Sequence, residues 1–386
     1  MSIGEERALS EQQYFDACRK IIVEQLGGKV DVQAWGEDRI RLTWVRRGET
    51  RLRTRAFREG DSLKIIVDRA GCRGWSAGRQ VDVELRVPRS ADLEVETGGP
   101  GPVTVSGIRG SIRLATGQGD ICVRETAGSL SVETGSGNVL AESCQGALEL
   151  ATGLGTVTLK GARGNFNLET GSGSLTLADL AGNLEAEAGS GRIRISRIRG
   201  DLKLDSGSGD VILEGVASRR LEIETGSGDV SVDGYPLPDA RWEVATGSGD
   251  VRLAIPATSD CRLNVETGSG RIDCRLPLRT REEGPGCLQG VLNRADAAVE
   301  VLTGSGNVVL EARPDSVPVP ERETEPDEAS LSVLRMVEEG KITPGEAEAL
   351  LRALAGAPDP APPREDSAEA DRKAAASEQE ATPEGT

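Results

Sequence analysis

Phe166-Asn-Leu-Glu-Thr-Gly-Ser-Gly-Ser-Leu-Thr-Leu177, Leu184-Glu-Ala-Glu-Ala-Gly-Ser-Gly-Arg-Ile-Arg-Ile195 and Leu202-Lys-Leu-Asp-Ser-Gly-Ser-Gly-Asp-Val-Ile-Leu213 are one pattern read three times, with a step of 18 residues. Its central Thr-Gly-Ser-Gly is intact at Thr134, Thr170, Thr225, Thr246, Thr267 and Thr303. Degenerate copies start at Thr97, Thr116, Thr152, Ala188 and Ser206. A fixed period of this size marks a stacked repeat architecture, in which each unit packs only on its neighbours.

Each unit divides into two halves. After the glycines come two apolar residues separated by one polar residue, as in Val157/Leu159, Leu175/Leu177 and Val211/Leu213. A similar pair precedes the next threonine, as in Leu130/Val132, Leu148/Leu150 and Leu221/Ile223. Alternation with period two puts both members of a pair on one face of a strand. A turn between the halves often carries its own glycine: Gly128, Gly146, Gly164, Gly182 and Gly200. Coils stacked about 4.8 Å apart would pair every backbone group with the coil above and below. The expected fold is therefore all-β: a parallel β-helix of about 18 residues per coil, right-handed as parallel crossovers prefer, and roughly 50 Å long.

The corners are expected at Gly135, Gly137, Gly171, Gly173, Gly207, Gly209, Gly226, Gly228, Gly247 and Gly249, where glycine suits backbone angles that other residues resist. The threonine before each corner has inward parity and predicts a ladder of hydroxyls bonding neighbouring coils. The widened interval from Gly268 to Gly304 reads as two periods, with 279–297 as an irregular excursion and Gly286-Cys287-Leu288 as a decayed corner.

Five segments are expected along the chain. Residues 1–29 read as an amphipathic capping helix, with Leu9, Cys18, Ile21, Ile22 and Leu26 near helical spacing and Gly27-Gly28 as its stop. The solenoid covers 30–312, and the arginines crowded between Arg46 and Arg58 read as solvated outward faces. An acidic, proline-rich linker follows at 313–327. Residues 328–356 read as a helical hairpin, with Thr343, Pro344 and Glu346 opening its second helix as a capping box. Its apolar face makes Leu331, Leu334, Val337, Leu350, Leu351 and Leu354 the candidate partner-binding residues, for a protein partner or for self-association. The tail, 357–386, has a disordered composition.

Val81-Asp-Val-Glu-Leu-Arg-Val-Pro88, Leu93-Glu-Val-Glu-Thr97 and the recurrent Glu-Thr-Gly-Ser-Gly-Asp-Val resemble the bacterial adhesin-like family of β-strand-repeat domains of unknown function, over about residues 30–312. That resemblance implies a right-handed β-helix with no established enzymatic activity. Leu334–Leu354 resembles the helical-hairpin module that accompanies such domains in envelope-stress proteins.

Composition narrows the chemistry. The 386 residues carry a net charge of −17, no histidine and only 2% aromatics. A nucleic-acid binder would show a basic footprint, and without histidine the commonest general base and metal ligand are gone. The seven cysteines form no Cys-x-x-Cys pair and read as reduced core thiols. Met1–Arg7 shows no leader pattern and no apolar run is long enough to span a membrane, so the expected location is cytoplasmic.

Asp120, Asp210, Asp229 and Asp250 follow the second glycine and invite comparison with calcium-binding β-rolls. Asn138, Asn307, Ser174, Thr156, Arg192 and Arg271 replace them in other coils, which argues against calcium. A ladder of acids is expected at Glu169, Glu187, Asp205 and Glu224, where a cationic partner would relieve the stacked charge. No catalytic, cofactor-binding or metal residues are assigned. The expected function is a non-enzymatic scaffold or interaction protein linked to the bacterial envelope or stress response. The alternatives are an exported surface adhesin and a polysaccharide-acting β-helix enzyme.

Overall fold

The structure is a computed structural model that describes residues 9–46, 52–69 and 81–313. These form 29 strands and no helix. The expected hairpin at 328–356, its linker and its tail lie outside the described residues.

The repeat sets a parallel ladder in two columns of strands. Before the corners, Leu130, Leu148, Phe166, Leu184 and Leu202 pair in sequence, one coil on the next. After the corners, Val139, Val157, Leu175, Ile193 and Val211 do the same. All ten are buried, and so are the corner threonines. Thr152 Oγ1 donates to the Gly137 carbonyl at 3.2 Å and Thr97 Oγ1 to Thr116 Oγ1 at 2.8 Å, so hydroxyls do bridge coils. Thr134, Thr170, Thr225 and Ser206 hydroxyls have no such partner.

Glycine is required at the first corner position for space rather than for its backbone angle. No first glycine from Gly135 to Gly247 has a positive φ. A Cβ on Gly171 would instead lie 2.8 Å from the Gly153 carbonyl oxygen, and one on Gly207 2.5 Å from that of Gly189. At the second position both constraints act in Gly209, Gly228 and Gly249, whose φ values are 159°, 151° and 154°.

A third turn column was not legible in the pattern. Gly107, Glu125, Ser143, Gly161, Asp179, Arg197 and Gly215 are all left-handed, with φ between 53° and 77°. Only three of the seven are glycine, so residue type gives no signal. Each is followed by an inward residue, among them Ile108, Cys144, Ala162, Leu180, Ile198 and Val216. Arg197 Nε donates to Asp179 Oδ1 at 2.5 Å and holds two successive coils together on the outside.

The expected N-terminal helix is absent from the described part of 1–29. Leu9–Asp16 and Lys20–Gln25 are strands. Ile21 and Val23 are fully buried while Ile22 is half-buried and Leu26 exposed, which is period two rather than 3.6. The β-branched run Ile21-Ile22-Val23 suits a strand. A ready slot decides the matter: Lys20–Gln25 lies between Ser62–Arg69 and Asp92–Pro100, parallel to both. Val30–Trp35 is likewise inserted between Val81–Pro88 and Val103–Ser106.

The same insertion occurs at the other end. Trp242 pairs with Val299, and Val299 with Leu263, so the last coil in sequence sits between two earlier ones. The interval from Gly268 to Gly304 is thus no skipped period. Residues 280–292 form an antiparallel hairpin on Cys261–Ser269, and Gly286 is a turn residue rather than a decayed corner. Antiparallel strands also cover the first end, Arg39–Arg46 on Val81–Pro88 and Leu52–Glu59 on Ser62–Arg69. Among the described residues, strands rather than helices cap the stack.

The inserted last strand, Val308–Arg313, ends on a buried cation. The Arg313 side chain is 2% exposed, lies 2.7 Å from Asp233 Oδ1 and stacks 4.3 Å from the Tyr235 ring centroid. The contact is an ion pair without hydrogen-bond alignment, since Arg313 Nη1 and Asp233 Oδ1 both lack a hydrogen-bond partner. Burial holds the Asp233 carboxyl above the usual range, against the opposing pull of Arg313 and Arg252. A raised carboxyl pKa means that ionised Asp233 costs native stability as pH rises through that value. Removing the counter-charge enlarges the cost. Arg313→Met is therefore expected to lose about 2 kcal/mol at neutral pH, less than a fully buried pair would because Asp233 stays partly hydrated. The deficit should shrink as pH falls, because protonation of Asp233 removes the charge that Arg313 balances. Urea melts of both proteins across pH test this; a deficit independent of pH would assign the loss to packing alone.

Candidate functional site

The acid ladder is in register. Glu169 pairs with Glu187, Glu187 with Asp205 and Asp205 with Glu224. Each precedes a buried Thr, Ala or Ser, so parity turns the carboxylates outward. Beside them the first corner glycines from Gly171 to Gly247 contribute no side chain. Together they line an open groove of about 830 Å³ along the corner. Successive carboxylates stand one coil apart, about 4.8 Å, well inside a Debye length at physiological salt.

The neighbouring outward column adds Glu149, Asn167, Glu185, Lys203 and Glu222, bordering a second groove of about 780 Å³. Lys203 Nζ lies 3.7 Å from Glu185 and 3.8 Å from Asp205. Asp205, Glu185 and Glu222 raise its pKa, in that order of effect. One lysine thus bridges the two columns, and the surface around it is acidic.

The aspartates compared with calcium ligands have another occupation. Asp229 Oδ1 accepts from the Asp250 amide at 2.9 Å, Asp250 Oδ1 from the Asn307 amide at 2.7 Å, and Asn307 Oδ1 from the Arg271 amide at 3.1 Å. Asp120 and Asn138 do the same for the amides of Asn138 and Thr156. Each side chain caps the backbone of the next coil, so Asp or Asn serves equally. The column follows the permuted order at the end of the stack, which the spacing alone did not indicate.

Six cysteines fall among the described residues, all of them free. Cys18, Cys144 and Cys261 are buried, and burial pushes the Cys261 thiol up to about 12. Cys122, Cys274 and Cys287 are partly exposed, and burial also raises the Cys122 thiol. Cys72 lies outside the described residues, as do the expected partner-binding residues Leu331, Leu334, Val337, Leu350, Leu351 and Leu354.

Fold and site define a laddered β-repeat protein whose outward columns line open grooves. The chain belongs to the Toastrack DUF4097 family, whose model matches residues 18–311. No curated protein sequence matches it. Similar solved structures include a candidate cell adhesion protein from Clostridium sporogenes, at 10% identity over 80% of this chain and 100% of that one, with a TM-score of 0.22. A candidate adhesin from Bacteroides fragilis has 10% identity over 79% and 98%, with a TM-score of 0.23. Another from Parabacteroides distasonis has 11% identity over 80% and 98%, with a TM-score of 0.27.

Proposed function

We propose that the chain is a non-catalytic binding scaffold whose acidic corner groove receives a basic segment of a partner protein, in an intracellular role tied to the bacterial envelope or stress response. The carrying observation is the register of Glu169, Glu187, Asp205 and Glu224 along one groove. Stacked like charges cost stability, and an extended chain with a cation every second residue spans about 7 Å per charge, close enough to neutralise such a row. Complementary charge also speeds encounter.

The test uses the full chain and an oligolysine peptide, with oligoglutamate as control. Glu169→Gln, Glu187→Gln, Asp205→Asn and Glu224→Gln are combined. Oligolysine affinity is expected to fall at least about tenfold, in line with roughly 0.5 kcal/mol per surface charge pair, while the unfolding midpoint holds or rises. Equal affinity in wild type and variant would reject the groove as the binding surface.

A further inference from the structure

We propose that the N-terminal end of the stack docks on the headgroup layer of an anionic phospholipid membrane, a surface separate from the acidic groove. The observation is a basic and aromatic cluster in an acidic chain. Arg41 lies directly opposite Arg86 across an antiparallel pair, and Tyr14 lies opposite Arg41 on its other side. The Arg39 guanidinium stands 4.9 Å from the Tyr14 ring centroid and 5.9 Å from that of Trp35, and Arg41 stands 5.3 Å from Trp35.

Like charges directly opposite in a sheet repel. Arg39 is balanced by Glu37 at 2.5 Å. Arg41 and Arg86 have no ion-pair partner among the described residues, and the chain as a whole carries −17. A phosphate between the two guanidinium groups removes the repulsion, because the guanidinium fork matches phosphate oxygens.

Apolar exposure at the same end selects a lipid surface over a free anion. Four large hydrophobic side chains are prominently exposed among the described residues: Tyr14, Leu26, Phe57 and Leu154. Three of them precede residue 58. Tyr14 and Phe57 lie on the edge strands Leu9–Asp16 and Leu52–Glu59 at this end, and Arg58 Nη2 donates to the carbonyl of Ala17, just after the first of them, at 3.0 Å. Aromatic rings beside arginines suit the interfacial layer of a bilayer, whereas a free phosphate has no use for them. The acidic columns farther along the stack are repelled by the same lipids, so the contact is confined to this end.

Full-length protein is to be co-sedimented with phosphatidylcholine vesicles, with and without phosphatidylglycerol. Wild type is expected to partition onto the anionic vesicles only, less so at high salt. Arg41→Gln with Arg86→Gln should bind about 30-fold more weakly, each arginine near an anionic surface contributing about fivefold. Arg192→Gln with Arg194→Gln, on the flank of the stack, should stay within about twofold of wild type. Phosphatidylglycerol carrying a bromine quencher should quench wild-type emission, and Trp35→Phe should remove most of that quenching; this reads the contact even if the arginine variant folds poorly. Equal binding to both vesicle types, unchanged binding of the folded arginine variant, or binding to heparin but not to vesicles would overturn the proposal.

Discussion

Leu150→Asp is expected to cost more than about 4 kcal/mol and to abolish cooperative unfolding at moderate temperature. Leu150 is fully buried, between Val132 and Leu168 in the ladder. The variant loses a leucine's burial and places a carboxylate where no donor is available. A neighbouring coil cannot slide to expose it, because a one-residue shift would turn every inward side chain outward. Glu149→Lys is the control. Glu149 faces solvent between Ser131 and Asn167, and its replacement should stay within about 0.5 kcal/mol of wild type. Calorimetry on the pair decides; equal losses would mean that inside and outside are wrongly assigned.

The second large effect is expected at the corners. Gly207→Ala should cost about 3 kcal/mol, because the added methyl would meet a backbone carbonyl that the parallel ladder holds in place. Gly98 supplies the comparison. It occupies the same motif position, has no positive φ, and an added Cβ would meet nothing within 4 Å. Gly98→Ala should therefore be neutral or gain about 0.5 kcal/mol through a less flexible unfolded chain. If both substitutions cost the same, glycine at the corner is needed for its backbone angles, not for the close approach of stacked carbonyls.

The periodic part of the chain could be read from its residues because each coil solves the same local problem. Alternation decides which side chains go inward, a repeat of 18 decides which residues become neighbours, and the acid ladder from Glu169 to Glu224 follows from those two facts. Local signals failed where several solutions satisfy them equally. Lys20–Gln25 carries an apolar run too short to separate strand from helix, and only the open slot beside Asp92–Pro100 settles it as a strand.

The order of coils at the two ends is the clearest case of a decision left to tertiary structure. Thr267 and Thr303 head equally good coils, and Trp242–Thr246 pairs with the one around Thr303 although the other comes first in sequence. A parallel ladder rewards matched inward residues and matched corners, and that reward is the same whichever coil the chain reaches first. Chain order is chosen by the connections and by what covers the last edge, here the antiparallel strands at residues 280–292. The Arg41–Arg86 juxtaposition and the Asp233–Arg313 pair arise the same way. Sequence alone determined what each coil looks like. Only the assembled structure decided which coils meet at the ends, because pairing energy depends on the partners and not on the path of chain between them.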